Sequence, residues 1–326
     1  MKAIIAKKYG SPENLQLQEV EKPTPKVNEV LIKVHASSLN AADNEILRGS
    51  LIHRMKSPLR PLHKIPGSDV AGTIESVGEN AEKFQIGDEI VGDLFWHEHG
   101  AFAEYVCAPE ELLTLKPSSM TFEEAATYPQ AAVIALQSIR GKKQLQPGQQ
   151  VLINGAGGGM GTFGLQIAKS YGAEVTGVDS AEKLDLLRSI GADHVMDYRQ
   201  EDYTKTGHQY DMIVDTVANR SLSDYKRALT PDGLFVMIGG SRSTMFRAFV
   251  VAPLTMRNDS RHIGANLWST PYNKEDMDFL AELFDAGKVV PVIDKRYSLS
   301  EVPKALKYLE DGQALGKVVI SMEDMS

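Results

Sequence analysis

The stretch most able to carry chemistry is glycine-rich: residues 154–161 read Asn-Gly-Ala-Gly-Gly-Gly-Met-Gly, after an apolar run and before a helical pattern. Ala156, Gly158 and Gly161 have the spacing of a dinucleotide-binding fingerprint. In it, the first position allows a tight turn, the second lets the backbone approach a pyrophosphate, and the third lets helix and strand pack closely. Free N–H groups and the positive helix end then hold the phosphates. The alternatives are a glycine-rich turn without a ligand and the first loop of a methyltransferase.

Two charged residues follow the glycine loop. Asp179 closes the next predicted strand, where an acid binds the ribose hydroxyls of NAD and repels the 2′-phosphate of NADP. Its alternative role is the N-cap of a helix starting near Ala181. Lys183, four residues further on, is placed either to reach a 2′-phosphate or on a solvated helix face. We include Ser180, between them, among the candidate cofactor residues.

Strand and helix patterns place this loop in the second of two regions. Short strands punctuated by Gly and Pro in the first third indicate a barrel or sandwich. A Thr-x-x-Glu capping box at Thr121 starts a helical region, and from residue 151 strands alternate with helices, which predicts a parallel sheet covered by helices. The predicted strands are 30–36, 70–77, 89–92, 101–108, 151–154, 174–178, 194–196, 212–214, 234–238 and 317–321. The predicted helices are 131–140, 162–171, 181–190, 221–229, 275–286 and 302–310.

Bulk composition limits the class of protein. The 326 residues suggest about two domains, and a net charge of −8 argues against nonspecific nucleic-acid binding. The single cysteine, Cys107, excludes an intrachain disulfide and fits a reducing compartment. We find neither the apolar core of a signal peptide nor a membrane-length apolar run, so we expect no membrane partner and a cytoplasmic location.

Several further motifs, in order along nearly the whole chain, carry a family resemblance. They are Ser-Leu-Asn at 38–40 with Asp43 and Arg-Gly at 48–49; Ile-Pro-Gly-Ser-Asp-Val-Ala-Gly at 65–72; Val-Gly at 77–78 with Phe84 and Gly-Asp at 87–88; Gly-Ala-Phe-Ala-Glu-Tyr at 100–105; the glycine loop; Ile-Gly-Ala-Asp at 190–193; Ala-Gly-Lys-Val at 286–289; and Gly-Lys-Val-Val at 316–319. Together they resemble the medium-chain dehydrogenase/reductase superfamily, and most of all its zinc-independent quinone oxidoreductase branch.

The resemblance implies an α/β fold with a GroES-like β-barrel catalytic domain and a Rossmann doubly wound parallel sheet. We place the catalytic domain at 1–122, completed by 267–326, and the Rossmann dinucleotide-binding domain at 123–266. The resemblance further implies an active site in the cleft between the domains and a homodimer paired through the Rossmann domains.

The resemblance also implies that zinc is absent. Zinc-dependent relatives carry Gly-His-Glu where this chain reads Gly-Ser-Asp at 67–69, and their ligand cysteine falls at Asn40. Neither Ser68 nor Asn40 is a zinc ligand at neutral pH, and the structural-zinc lobe of the relatives needs four cysteines. Polarisation of a substrate by zinc is therefore not expected.

Other site residues come from family positions. Asn40 and Asp43 match the substrate side, although both serve equally to pin a turn of the barrel. The proton is expected from water or from a polar group such as Asn40 or Ser68. No tyrosine follows Asp43 as in several relatives, which weakens any mechanism with a tyrosine acid. Tyr128 lies either beside the nicotinamide or in the core. The remaining cofactor candidates are Gly159 and Met160 in the loop, Tyr198 near the adenosine phosphate, Gly239, Gly240 and Ser241 near the nicotinamide, and Asn266 in a late loop.

Two histidine-containing segments complete the candidates. Trp-His-Glu-His at 96–99 is interpreted as an exposed loop rather than a metal site, because no third or fourth ligand is evident. Alternatively, Trp96 and His97 line the mouth of the cleft. The basic loop 54–64, flanked by His53 and His63, is interpreted as a mobile solvated lid. Cys107 is interpreted as a small buried apolar residue.

These features predict a zinc-independent oxidoreductase that passes hydride from NAD(P)H to a small quinone or α,β-unsaturated carbonyl. Such acceptors are already electrophilic, so orientation and a dry site are sufficient. Lys183 and Tyr198 favour NADPH slightly, whereas Asp179 favours NAD. The alternatives are a metal-free alcohol or aldehyde reductase and a non-catalytic dinucleotide-binding redox sensor.

Overall fold

The chain folds into two compact units. A computed structural model describes residues 1–140, 145–251, 260–265 and 273–322. Grouping by proximity gives a first unit of Met1–Ala131, Thr270–Asp285 and Pro291–Ser326, and a second unit of Ala132–Ser269 and Ala286–Val290. The predicted domain boundaries, at 122/123 and 266/267, stay a prediction.

The strands and helices are numbered along the chain. The strands are β1 (Lys2–Ala6), β2 (Leu15–Glu19), β3 (Glu29–Ser38), β4 (Asp69–Val77), β5 (Glu89–Asp93), β6 (Tyr105–Pro109), β7 (Leu113–Leu115), β8 (Gln150–Asn154), β9 (Glu174–Asp179), β10 (His194–Asp197), β11 (Tyr210–Asp215), β12 (Leu229–Met237), β13 (His262–Ala265), β14 (Ile293–Ser298) and β15 (Lys317–Ser321). The α-helices are α1 (Ala41–Arg48), α2 (Leu51–Lys56), α3 (Phe122–Ala125), α4 (Ala131–Arg140), α5 (Gly159–Ser170), α6 (Leu184–Ser189), α7 (Leu222–Ala228), α8 (Arg242–Phe246), α9 (Lys274–Asp285) and α10 (Val302–Glu310).

The first unit is built on a mostly antiparallel sheet. Its order is β14-β15-β3-β4-β5-β7, with β6 also paired to β3, while β1 and β2 form a separate pair. Strand β3 is buried along most of its length because it pairs with three neighbours. The register sets Ser38 opposite Asp69 and Asp69 opposite Asp93. Three polar residues at strand ends are therefore brought side by side.

The second unit is a parallel sheet of order β10-β9-β8-β11-β12-β13. The chain runs outward from β8 through β9 and β10, then returns to β11 on the other side of β8. Asn154 and Asp215, which end β8 and β11, are register partners across this reversal. Ligands of doubly wound sheets bind outside the carboxyl ends of the strands at such a switch point.

Most predicted elements are present with shifted ends. The helices predicted at 131–140 and 302–310 and the strand at 317–321 are confirmed as α4, α10 and β15. The capping box is confirmed as well, because Thr121 Oγ1 accepts the N–H of Glu124 and Glu124 Oε2 accepts that of Thr121. None of the described helices is long and apolar enough to cross a membrane.

Four predicted elements were wrong in extent, and one of them is β12, which begins at Leu229 rather than at residue 234. The helix after the glycine loop begins at Gly159, not at residue 162. The prediction set its start too late because the first turn contains glycines, which have low helix propensity. The strand predicted at 101–108 begins only at Tyr105. Before it, Phe102 O accepts the N–H of Ile4 and the N–H of Glu104 donates to Lys2 O, so these residues bond to β1 rather than to β3. The helix predicted at 181–190 is a 3₁₀ turn at Ala181–Lys183 followed by α6. The prediction missed β1, β2, β7, β13, β14, α1, α2 and α8.

Candidate functional site

The sharp turn of the glycine loop lies at Gly155. The N–H groups of Gly155 and Ala156 both donate to Val178 O, at 2.9 and 3.1 Å, which ties the loop to the end of β9. Gly155 has φ +79°, and a Cβ there would lie 2.1 Å from Thr216 Oγ1. The turn predicted at Ala156 is therefore made by the residue before it, and Ala156 is buried beneath the loop.

The two later glycines of the fingerprint differ in what surrounds them. A Cβ at Gly161 would lie 2.2 Å from Gly155 O and 2.7 Å from Ala156 Cα, so close packing requires glycine there. A Cβ at Gly158 would meet only Gly155 O, at 3.4 Å, and its φ of −85° suits any residue. Packing thus explains Gly161 but does not require glycine at Gly158, where the bare backbone leaves room for a ligand.

Gly158 is also the N-cap of α5. It has no side chain to bond the first N–H groups of the helix, which begins at Gly159 and continues through Met160 and Gly161. Such groups have no acceptor within the helix and attract anions together with the helix dipole. This loop fits the diphosphate of a dinucleotide.

Asp179 is bonded to the loop itself. Its Oδ2 accepts the N–H of Gly157 at 2.8 Å, and its Oδ1 accepts the N–H of Ser180 at 2.8 Å. Lys183 Nζ lies 3.7 Å from Asp179 Oδ1, and both side chains are largely buried. The alternative that Asp179 caps the following helix was wrong, because Ser180 occupies the N-cap position of the 3₁₀ turn.

The other cofactor candidates lie on neighbouring loops of the second unit. The N–H of Tyr198 donates to Asp179 O at 3.1 Å, while the Tyr198 side chain is half exposed. Ala218 N–H donates to Gly239 O, and Ser241 N–H donates to Ala218 O. A Cβ at Gly240 would lie 2.2 Å from Ala218 O, so this glycine serves close approach of two loops. Asn266 lies outside the described residues.

Asp215 was not singled out by the sequence. It is fully buried at the switch point and accepts hydrogen bonds from Asn154 Nδ2 at 2.9 Å and from Tyr225 OH at 3.1 Å. Burial raises its pKa, against the lowering effect of these donors. Its donors tie β8, β11 and α7 together beside the glycine loop. No local motif marks this residue, because its partners come from distant strands and helices.

In the first unit, a buried ion pair organises the strand ends. Lys317 Nζ lies 3.3 Å from Asp69 Oδ2, and both side chains are almost fully inaccessible. Lys317 also donates to Asn40 Oδ1 at 2.8 Å and to Leu39 O at 3.0 Å. Asp69 Oδ2 further accepts Asn40 Nδ2 at 2.8 Å and Ser38 Oγ at 2.6 Å. The charges are thus paired and hydrogen-bonded, as burial requires.

Asn40 and Asp43 are brought together where α1 begins. Asp43 Oδ2 accepts the N–H of Asn40 at 2.8 Å, so Asp43 pins this turn. Burial, with a smaller contribution from the charge of Asp69, raises the pKa of Asp43 to about 7. The amide of Asn40 is committed on both sides, to Lys317 and to Asp69. Both residues therefore fit the alternative interpretation, in which they hold a turn of the barrel in place.

Ser68 and Gln130 extend this cluster towards Asp93. Ser68 Oγ lies 3.5 Å from Asn40 Nδ2 and 3.4 Å from Gln130 Nε2, and the N–H of Gln130 donates to Asp69 Oδ1 at 3.1 Å. Gln130 Nε2 lies 3.4 and 3.5 Å from the two oxygens of Asp93. Burial, followed by the charge of Asp69, raises the pKa of Asp93 to about 7.

The sequence interpretation missed the roles of four members of this cluster. Asp69 and Lys317 were quoted only as parts of family motifs, and neither Gln130 nor Asp93 was singled out. Tyr128 itself is fully buried, with its ring 4.9 Å from that of Phe284, which favours core packing over contact with a nicotinamide. The signal available in the sequence was a set of polar residues at strand ends.

The histidine segments differ from their predicted form. His99 is buried with φ +58°, and its ring stacks on His63 at 4.2 Å, so the exposed loop predicted at 96–99 was wrong for this residue. Burial lowers the pKa of His99 to about 3, which keeps the ring neutral. The predicted lid 54–64 begins inside helix α2, and Ser57 O accepts Tyr9 OH at 2.9 Å.

Cys107 is half-buried on β6, and burial raises the pKa of its thiol to about 12. It therefore stays a neutral thiol. The prediction that it is buried was wrong, because the side chain is partly exposed. Within the described ranges, no three His, Cys, Asp or Glu side chains are grouped closely enough to hold a metal ion. The expected absence of catalytic zinc rests on the residue types at Asn40 and Ser68, and stays a prediction.

Comparison with known proteins places this architecture in a family. Residues 26–118 match the model described as alcohol dehydrogenase GroES-like domain, and residues 190–320 match the one described as zinc-binding dehydrogenase. The 2-methylene-furan-3-one reductase of Solanum lycopersicum is 33% identical over 98% of this chain and 79% of its own length. The quinone oxidoreductase of Homo sapiens is 31% identical over 98% of this chain and 97% of its own.

A solved structure agrees with these relatives. The quinone oxidoreductase from Coxiella burnetii superposes with a TM-score of 0.87 and 28% identity, covering 99% of both chains. The chain belongs to the medium-chain dehydrogenase/reductase superfamily of oxidoreductases. The predicted fold class, a GroES-like domain plus a Rossmann parallel sheet, is confirmed.

Proposed function

We propose that this chain is a zinc-independent, NAD(P)H-dependent oxidoreductase that transfers hydride to a quinone or an α,β-unsaturated carbonyl. The observation that carries the proposal is the bare backbone of Gly158 at the N-terminus of α5, beside the switch point of a parallel sheet. The names of the tomato and human relatives, a furanone reductase and a quinone oxidoreductase, support this substrate class.

The dinucleotide would be held by the second unit. The backbone of the glycine loop would bind the diphosphate, and neighbouring loops would bind the rest. When bound, the reduced nicotinamide supplies the hydride. The residues assigned to this binding are Ala156, Gly158, Gly159, Met160, Gly161, Asp179, Ser180, Lys183, Tyr198, Gly239, Gly240 and Ser241.

The first unit would act on the acceptor. The acceptor is already electrophilic, so the protein has to orient it and manage one proton rather than supply a Lewis acid. Asn40, Asp43, Ser68 and Tyr128 stay our candidates on this side. In the described structure Asn40 and Asp43 hold the cluster together, and Tyr128 is buried, so these three would support the site by positioning its neighbours.

We favour NADPH slightly over NADH. Lys183 and Tyr198 supply a cation and an aromatic ring for the adenosine phosphate, whereas Asp179 opposes a 2′-phosphate. Because Asp179 is held by Gly157 N–H and paired with Lys183, its charge is partly compensated. The expected homodimer and cytoplasmic location rest on the family resemblance and on the single cysteine, and stay predictions.

An anaerobic assay tests the function. NADPH and NADH oxidation is measured with duroquinone, cyclohexenone and a simple alcohol–aldehyde pair, with metal content determined in parallel. Turnover of the quinone or the enone without bound zinc is expected. Turnover of alcohols alone by a zinc-containing protein would overturn the proposal, and tight NADPH binding without turnover of any acceptor would favour the non-catalytic sensor.

A further inference from the structure

Two carboxylates face each other across neighbouring strands of the first unit. Asp69 begins β4, Asp93 ends β5, and the two are register partners. Directly opposed like charges destabilise a sheet, and the cost rises when both groups are removed from water. Such a pair is tolerated when one carboxyl is ionised and the other keeps its proton.

The charge compensation in this pair is one-sided. Asp69 is fully buried and receives the ammonium of Lys317, the hydroxyl of Ser38, the amide of Asn40 and the N–H of Gln130. All four donors stabilise an anion. The negative charge of the pair is therefore compensated at Asp69.

Asp93 lacks comparable partners. Its Oδ1 accepts the N–H of Phe95 at 2.9 Å, and its other contacts are the long ones to Gln130 Nε2. In the described part of the chain Asp93 takes part in no ion pair. Unlike Asp43, which is buried in the first turn of α1, Asp93 is partly exposed. Asp93 is thus the one acid of the cluster whose pKa is raised to about 7 and whose side chain also reaches the surface of its unit.

We propose that Asp93 is the general acid of the reaction and that Asp69, held by Lys317, keeps it protonated. This inference rests on the proposed function. As hydride adds to the β-carbon of the enone, the electron pair of the C=C bond takes a proton at the α-carbon. That proton comes from Asp93 as its O–H bond breaks, and water reprotonates the carboxylate after product release. The net change is addition of one hydride and one proton to the C=C bond.

The charged groups around Asp93 determine when it carries its proton. Asp69 on β4 and Asp43 on α1 both oppose its ionisation. Lys317 on β15 favours ionisation but lies against Asp69 rather than against Asp93. His99, six residues beyond, is neutral. Activity that needs the protonated acid should therefore fall as the pH rises through about 7.

Asp93→Asn tests the role, because an amide keeps the size and hydrogen bonding of the side chain but has no transferable proton. We expect turnover of cyclohexenone to fall by ~10²-fold or more, and its decline above neutral pH to disappear. Duroquinone should lose much less, since the hydroquinone anion is a weak base that water can protonate. Glu98→Gln, an exposed neutralisation in the same unit, is the control and should match the wild type.

Carbon-13 titration of the Asp93 carboxyl in the wild-type protein needs neither a variant nor turnover. A midpoint near neutrality is expected, and an ordinary midpoint near ~4 would overturn the inference. An Asp93→Asn protein that reduces the enone within about threefold of wild type, with the same pH profile, would overturn it too. Absence of any turnover in the wild type would instead refute the proposed function, while the titration would still decide the state of Asp93.

Discussion

The carboxylate of Asp179 accepts the N–H of Gly157 at 2.8 Å, so the acid that closes β9 is bonded to the loop expected to hold a diphosphate. Its second oxygen faces Lys183, whose Cδ would lie 2.7 Å from a Cβ at Gly157. The acid, the cation and the loop form one connected unit. We therefore expect cofactor preference to depend on whether Asp179 and Lys183 pair with each other or contact the cofactor.

Asp179→Ala should shift preference towards NADPH. If Asp179 binds the adenosine ribose as proposed, the change removes a negative charge there and leaves Lys183 free to contact a 2′-phosphate. We expect the ratio of the NADH to the NADPH dissociation constant to rise by roughly tenfold, or ~1.4 kcal/mol. Fluorescence titration measures both constants, and their ratio cancels any general weakening of the loop.

Glu182→Gln is the matched control for that experiment. Glu182 is an exposed acid of the same 3₁₀ turn, paired with Arg199 rather than with the loop. It should leave the ratio unchanged. If Asp179→Ala also left the ratio unchanged, Asp179 would have no contact with the ribose.

The two glycines of the loop should separate ligand binding from folding. Gly158→Ala adds a methyl group that the protein accommodates, so its urea midpoint should stay near wild type while NADPH affinity falls by roughly tenfold or more. Gly161→Ala forces a methyl group against Gly155 O and should lower the free energy of unfolding by ~1–3 kcal/mol. Unchanged NADPH affinity in Gly158→Ala would refute the diphosphate assignment.

The sequence indicated this loop well because its signal is local. Spacing alone correctly predicted that Gly161 lies where helix and strand pack closely. It placed the tight turn at Ala156, one residue after its actual position at Gly155. The start of α5 was set too late, since glycine-rich turns do not show the helical pattern that Thr162 begins.

The polar cluster of the first unit was mostly invisible to the sequence. Lys317 and Asp69 are 248 residues apart, and the facing of Asp69 and Asp93 depends on the register of two strands. A lysine at the start of a strand is expected at the surface, but Lys317 is buried because Asp69 and Asn40 accept hydrogen bonds from its ammonium group. Local patterns do not encode such long-range pairing.

Removing the buried cation should destabilise the first unit strongly. Lys317→Met leaves the charge of Asp69 uncompensated in the interior, and we expect a loss of ~3–5 kcal/mol in the free energy of unfolding. Lys304→Met, at an exposed pair with Glu301, should cost no more than ~1 kcal/mol. Urea unfolding measures both.

The double variant Lys317→Met/Asp69→Asn gives the decisive comparison for that ion pair. Neutralising Asp69 removes the unpaired charge, so the double variant should be more stable than Lys317→Met alone. Equal or lower stability would show that the loss comes from packing of the lysine stem rather than from its charge.

The raised pKa of Asp43 should appear in the pH dependence of stability. A carboxyl whose pKa is about 7 when folded and ~4 when unfolded binds its proton more tightly in the folded state. Its stabilising contribution is full below pH ~4 and is lost as the pH rises towards 7, at up to ~1.4 kcal/mol for each pH unit. Asp43→Asn, which mimics the neutral form, should therefore be about as stable as wild type at pH 4, gain on it as the pH rises towards 7, and keep a constant advantage above that pH. Urea unfolding at several pH values measures the difference, with the exposed Asp185→Asn as the control. A constant difference between Asp43→Asn and wild type across this range would mean that Asp43 is already ionised when buried.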